Sequence, residues 1–138
     1  MGLHRARVEV EALQTLVAAP LPNRRDGQAP LSEVRYQLLT AVAGAWAFAA
    51  QSAAPVAVFV VHEFLPTEPD LPAVRENERD LNQALARMTR NRVTALKPGD
   101  LLGPFDVPPS EAWMGVHKWY VGKCRTIIGA PVQVDLLQ

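Results

Sequence analysis

Two apolar stretches lie back to back in the middle of the chain, and their differing composition predicts two different elements. From Leu38 to Ala50 the residues are rich in alanine and carry Val42, Trp46 and Phe48, with no charge after Arg35. A helix that is apolar on every side is a buried one, so the pattern predicts a buried helix over 32–51. Gln51-Ser52-Ala53-Ala54-Pro55 breaks that run. Val56 to Val61 then turns to β-rich residues without polar alternation, the pattern of a strand, here 56–63, covered on both faces. The uncharged run from Leu38 to Val61 exceeds the ~20 residues of a membrane-spanning helix. Its polar break and the switch from alanine to β-branched residues favour helix, turn and strand instead.

The flanking segments complete the layer. Val8, Leu13, Leu16 and Val17 alternate with Glu9, Glu11 and Gln14 in a helical rhythm, which predicts an amphipathic helix over 6–19 that Pro20 and Pro22 end. A polar loop from Asn23 to Pro30 leads to Ser32 and Glu33, a helix start. After the proline-rich Leu65 to Pro72, a second amphipathic helix is expected over 71–89, with Val74, Leu81, Leu85 and Met88 inward and Arg75, Glu76, Glu78, Arg79 and Arg87 in solvent. Short strands are predicted within 93–96, 101–107, 113–128 and 131–137, separated by the Lys97-Pro98-Gly99-Asp100 turn and by later Gly-Pro and Pro-Pro pairs. The expected architecture is a single α/β domain over 1–138, borderline with α+β. It has a mixed sheet, a buried central strand packed by helices, and a C-terminal β-hairpin region.

Composition narrows the function classes. With 138 residues, 49% of them apolar, the chain builds one core rather than two domains. Fourteen basic and fourteen acidic residues cancel, so only a local patch could attract nucleic acid. Cys124 is the single cysteine, which excludes an internal disulfide and a thiolate cluster. A reducing cytoplasm is the simplest compartment, and Glu9 and Glu11 make the N-terminus a poor signal peptide.

Arg35-Tyr36-Gln37-Leu38-Leu39 on a buried helix, followed by the strand Ala57-Val58-Phe59-Val60-Val61-His62-Glu63-Phe64, resembles an uncharacterised bacterial family related to the C-terminal half of PD-(D/E)XK, restriction-endonuclease-like domains. The likeness runs from about Val8 to Val121. It implies that the metal-binding acid and the Glu-x-Lys pair belong on strands preceding the buried helix, where this chain has a predicted helix and loop. No Glu-x-Lys or Asp-x-Lys occurs in the sequence, so the resemblance implies a truncated or degenerate relative without the catalytic strands.

Candidate chemistry falls at three places. His62 and Glu63 end the central strand, where α/β sites usually lie, with Glu68 or Asp70 close behind. Neighbouring strand residues point to opposite faces, so His62 and Glu63 do not readily share an ion, and a strand-end histidine satisfied by a backbone partner is the plainer reading of the first. Metal-dependent hydrolysis, with magnesium as cofactor, would need a convergent acidic set there. Arg35 and Gln37 lie about 200° apart on the helix. The resemblance puts them on a cleft as phosphate contacts, whereas Arg35 paired with Glu33 or Asp26 and Gln37 capping backbone is the plainer reading. Last, His117, Lys118, Trp119, Tyr120, Lys123 and Arg125, with Trp113 before them, interleave aromatic and basic residues. Such residues stack bases, or form an amphipathic hairpin with rings inward and cations in water. Cys124 with His117 or His62 could form a nucleophile pair, but a lone strand cysteine reads as a small core hydrophobe.

These patterns lead to a non-catalytic binding or assembly protein, nuclease-like in ancestry, that acts through a homodimeric or other protein partner. The alternative is a metal-dependent nuclease-like enzyme acting on nucleic acid.

Overall fold

The computed structural model describes residues 36–66 and 71–129. The predicted helix over 6–19, Arg35, Glu68, Asp70 and the predicted strand over 131–137 lie outside the described residues. Helix α1 (Tyr36–Gln51) leads to strand β1 (Val56–Leu65), helix α2 (Pro72–Met88), strand β2 (Leu101–Asp106), a 3-10 turn (Glu111–Trp113) and strand β3 (Lys118–Ile127). The three strands form one mixed sheet in the order β1-β3-β2. β1 runs parallel to β3 with an unbroken register from Val56 opposite Lys118 to Leu65 opposite Ile127. β2 and β3 make the expected antiparallel hairpin, with a bulge between Leu102 and Phe105. The chain is a single small α/β domain.

Helix α1 is held by one face. Leu39, Val42, Ala43, Trp46 and Ala49 recur at helical spacing and are all buried. The other side is open to solvent, with Phe48 71% exposed. The prediction of a helix buried all round is thus corrected. Ala41 and Gly44 are among the outward positions, and small residues cost little there, so apolarity and burial part company. The core centres on three indoles: Trp46 meets Trp113 edge-on at 5.1 Å and Trp119 at 5.5 Å. Such edge-to-face pairs add to plain area burial. Trp113 is fixed by its indole N–H donating to the Pro108 carbonyl at 2.5 Å, and Phe105 of β2 closes on Trp119 at 5.5 Å.

The strand read as covered on both faces is covered on one. Ala57 and Leu65 are buried, with Phe59, Val61 and Glu63 half-buried between them, while Val56, Val58, Val60, His62 and Phe64 face outward and are exposed. Central position in the sheet belongs to β3, flanked on both edges, rather than to β1. A continuous apolar run fits a strand with two buried faces, and it fits equally a strand whose open face is apolar.

Two further expectations change. Residues 93–96 form no strand, because their main-chain donors are taken by side chains: Val93 N–H by Thr89 Oγ1 at 3.0 Å and Leu96 N–H by Asn82 Oδ1 at 3.1 Å. In α2, Val74, Leu81 and Leu85 are buried as expected, but so is Arg87, which was assigned to solvent. The Lys97–Asp100 turn is present, closed by Asp100 N–H to the Lys97 carbonyl at 3.0 Å, with Gly99 at φ +94°. That left-handed conformation costs glycine nothing.

The indole cluster ties α1 to the connector and to the central strand. Trp46→Ala should therefore lower unfolding free energy by about 3–5 kcal/mol, a large share of the ~5–15 kcal/mol of a small domain. Trp46→Phe should cost less, because it keeps a ring and removes an indole N–H that is buried without a partner. Urea unfolding followed by circular dichroism checks the order of the two variants.

Candidate functional site

Strand alternation builds two unlike surfaces from the same three strands. On the inner face of β3, Trp119 and Val121 are core residues, and two steps further the same face carries Lys123 and then Arg125. The register sets Glu63 opposite Arg125 and Val61 opposite Lys123, so one carboxylate meets two cations. Glu63 Oε1 lies 3.0 Å from Lys123 Nζ and 3.4 Å from Arg125 Nη2. The Lys123 side chain is 1% exposed and that of Glu63 13%. The main chain of Lys123 is pinned by the turn before β2, its N–H donating to the Asp100 carbonyl at 3.1 Å and its carbonyl accepting from Gly99 N–H at 2.8 Å.

Glu63 and Lys123 of this cluster line a cleft of about 370 Å³ at the C-terminal end of β1, while Arg125 lies outside its lining. Gln37 and Leu38 from the first turn of α1 make one wall, and Asn77, Glu78 and Asp80 from α2 the other. The end of a parallel strand pair is where α/β folds place their sites. The Lys123 ammonium is within ion-pair reach of Glu63 but is not aligned for a hydrogen bond, and Arg125 Nε is buried without any acceptor. Among the described residues, no three His, Cys, Asp or Glu side chains converge to hold a metal.

The outer face is apolar. Val58 and Val60 are 53% and 51% exposed and Phe64 61%, with Leu101 of β2 beyond them at 60%. Gly122 separates Val60 from Leu101, since a Cβ there would stand 3.7 Å from one and 3.2 Å from the other. Gly103 lies against the Tyr120 ring, where a Cβ would come within 2.8 Å of its Cδ1.

The residues singled out by sequence separate accordingly. His62 and Glu63 point to opposite faces. His62 is on the outside, 2.8 Å from Thr126 Oγ1 and stacked on Phe64, whereas Glu63 is inside. Gln37, His62, Glu63 and Lys123 all line the cleft, with Arg125 joined through Glu63. The predicted aromatic and basic patch is divided. Trp113 and Trp119 are each 1% exposed and belong to the core, so neither ring faces a ligand, while Tyr120 is half-buried on the outer face. His117 is exposed, its N–H donating to the Pro55 carbonyl at 2.9 Å. Lys118 pairs with Asp106, its register partner on β2. Cys124 is exposed on the outer face rather than packed in the core. The signal for the cleft is a strand face that turns from apolar to cationic at fixed parity, Trp119, Val121, Lys123, Arg125. Its partner residue is 62 positions away from Arg125 in the chain.

Removing one member of a buried ion cluster leaves the others uncompensated. Glu63→Ala strands both Lys123 and Arg125 and should cost about 3–5 kcal/mol. Lys123→Met leaves Glu63 paired with Arg125 and should cost clearly less. Chemical denaturation of the two variants tests that order. At the surface pair, the Lys118 hydrogen bond, helped by its charge and by Arg92 and Arg90, holds the Asp106 carboxyl below the ordinary 3.8. A depressed carboxyl stabilises the folded state above the unfolded pKa, and that contribution is lost as pH falls through the folded value. Lys118→Ala should move the Asp106 midpoint upward in a carboxyl NMR titration.

No helix among the described residues is long and apolar enough to cross a membrane. Neither the curated proteins nor the solved structures contain a match to this chain. The profile of one protein family matches residues 5–120, a span that takes in α1, β1, α2 and β2 with Glu63 and stops short of Lys123 and Arg125. With most of its length matched, the chain belongs to that family, the domain of unknown function DUF6946.

Proposed function

We propose that the protein is a non-catalytic binding or assembly subunit of nuclease-like architecture, and that it works as a homodimer joined along β1. The observation that carries this reading is the unguarded outer edge of β1. The strand is ten residues long, Val-Ala-Val-Phe-Val-Val-His-Glu-Phe-Leu, with no proline or lysine, and its one carboxylate turns inward. Natural sheets blunt their edges with short strands, charges, prolines or bulges. β2 has such protection in its six residues, its proline and its bulge. Among the described residues β1 has none.

Main-chain direction supports the same surface. The carbonyls of Pro55 and Leu65 accept from His117 and Ile128 at 2.9 and 2.7 Å. By two-residue alternation the main-chain groups of Val56, Val58, Val60, His62 and Phe64 are aimed at the open edge. The side chains of Val56, Val58, Val60 and Phe64 form the exposed apolar stripe, with His62 between the last two. A strand added there pairs backbone to backbone and extends an apolar face. A second copy offers an identical edge, and a two-fold axis closes the contact after one pairing.

Burial of Trp113 and Trp119 removes two of the three stacking rings that a nucleic-acid surface would use, which weighs toward a protein partner. A reducing compartment such as the cytoplasm suits the exposed, single Cys124.

Light scattering at micromolar concentration should give twice the chain mass. Val58→Lys combined with Val60→Lys changes two side chains that are already half in solvent, so it should halve that mass while the circular dichroism spectrum stays the same. A wild-type protein that is monomeric at tens of micromolar would overturn the reading.

A further inference from the structure

We infer that the cleft at the C-terminal end of β1 binds a small neutral polyol, of which a sugar ring is the simplest kind. Its lining disfavours ions of either sign. Glu63, Glu78 and Asp80 repel an anion, and the Lys123 ammonium opposes a cation from within the same lining. The Lys123 side chain is 1% exposed, and its Nζ, 3.0 Å from Glu63 but not aligned with it, is buried without a hydrogen-bond partner. A buried charged donor without an acceptor is costly, and a native structure that keeps one calls for a specific explanation. A hydroxyl group answers both conditions, because its oxygen accepts from an ammonium while its O–H donates to a carboxylate. Neighbouring hydroxyls on one molecule repeat that pairing and bring no charge into the cleft.

The rest of the lining fits the same class of ligand. Glu63 holds Lys123, and Asp80 lies 3.9 Å from Arg79, but an ionised carboxylate has about four acceptor sites, so each keeps room for an O–H donor. Gln37 and Asn77 add amides, which donate and accept at once. Aromatic rings supply the other half of sugar recognition. His62 and Phe64 both line the cleft, with their rings stacked at 4.0 Å and 28°, and Phe64 is 61% exposed. An exposed aromatic face beside polar groups fits the C–H side of a pyranose, which is as apolar as its hydroxyl edge is polar. At about 370 Å³ the cleft has the size of a small-molecule site rather than of a polymer groove. The inference does not rest on association along β1, which engages main-chain groups of that strand where the cleft uses side chains.

The test is a titration of the full chain with D-glucose, D-galactose and D-mannose in turn, with sodium acetate and ethylammonium chloride as charged controls at constant ionic strength. Amide NMR shifts are the readout, because sugars raise melting temperatures without binding. At least one sugar should produce saturable shifts confined to residues 61–65, 77–81 and 123, and both charged controls should bind more weakly. Phe64→Ala and Asn77→Ala change exposed side chains and should leave the fold intact. Each should raise the dissociation constant of that sugar ~tenfold, which is about 1.4 kcal/mol. Non-saturating shifts with all three sugars, tighter binding of acetate or ethylammonium than of every sugar, or unchanged sugar binding in either variant would each overturn the assignment. If a variant does not fold, the wild-type titrations and the other variant decide. Because the readout is local shifts and not mass, a monomeric protein that binds a sugar would sink the dimer and leave the site standing.

Discussion

The parallel pairing of β1 with β3 is the constraint on which the rest of this structure depends. Ten register partners join segments some sixty residues apart. A parallel pair needs a long crossover, and here α2, the β2 strand and the indole-bearing turn all lie within it. The pairing fixes parity as well as position. Odd-numbered residues of both strands face α1 and the indole cluster, and even-numbered ones face away. A slip of one residue would turn Trp119 and Val121 outward and bring Lys118 and Tyr120 into the core.

That parity makes one sheet with two kinds of face. Inside, the apolar packing of Trp46, Trp113 and Trp119 gives way toward the strand ends to Glu63, Lys123 and Arg125. Glu63 and Lys123 line a cleft there, and Arg125 pairs with Glu63 from beside it. Outside, the valines of β1 present an apolar stripe next to main chain that no other described strand pairs. Charged and exposed apolar side chains thus alternate along the same strands.

The elements with clear periodicity were legible in the sequence. Helix α2 spans 72–88 where 71–89 was expected, and β1 reaches Leu65 rather than ending at Glu63. Local patterns failed where a tertiary partner decides the outcome. Residues 93–96 have a strand's composition, but Thr89 and Asn82 take their N–H groups. The exposed side of β1 is as apolar as a buried one, so its open face was invisible. The ion cluster could not be found as a Glu-x-Lys motif because its acid and its cations come from different strands. Aromatic and basic residues near the C-terminus looked like one patch, yet parity sends Trp119 inward and Tyr120 outward.

The central claim, that β1 is tied to β3 along one edge and, among the described residues, open along the other, is tested most directly by residue-resolved amide exchange at several protein concentrations. Amides of Ala57, Phe59 and Val61, directed at β3, should exchange slowly at every concentration. Those of Val58 and Val60, directed at the open edge, should exchange fast in dilute protein and slow down as the concentration rises. Equal protection of both sets at all concentrations, or fast exchange at Phe59 and Val61, would contradict the account.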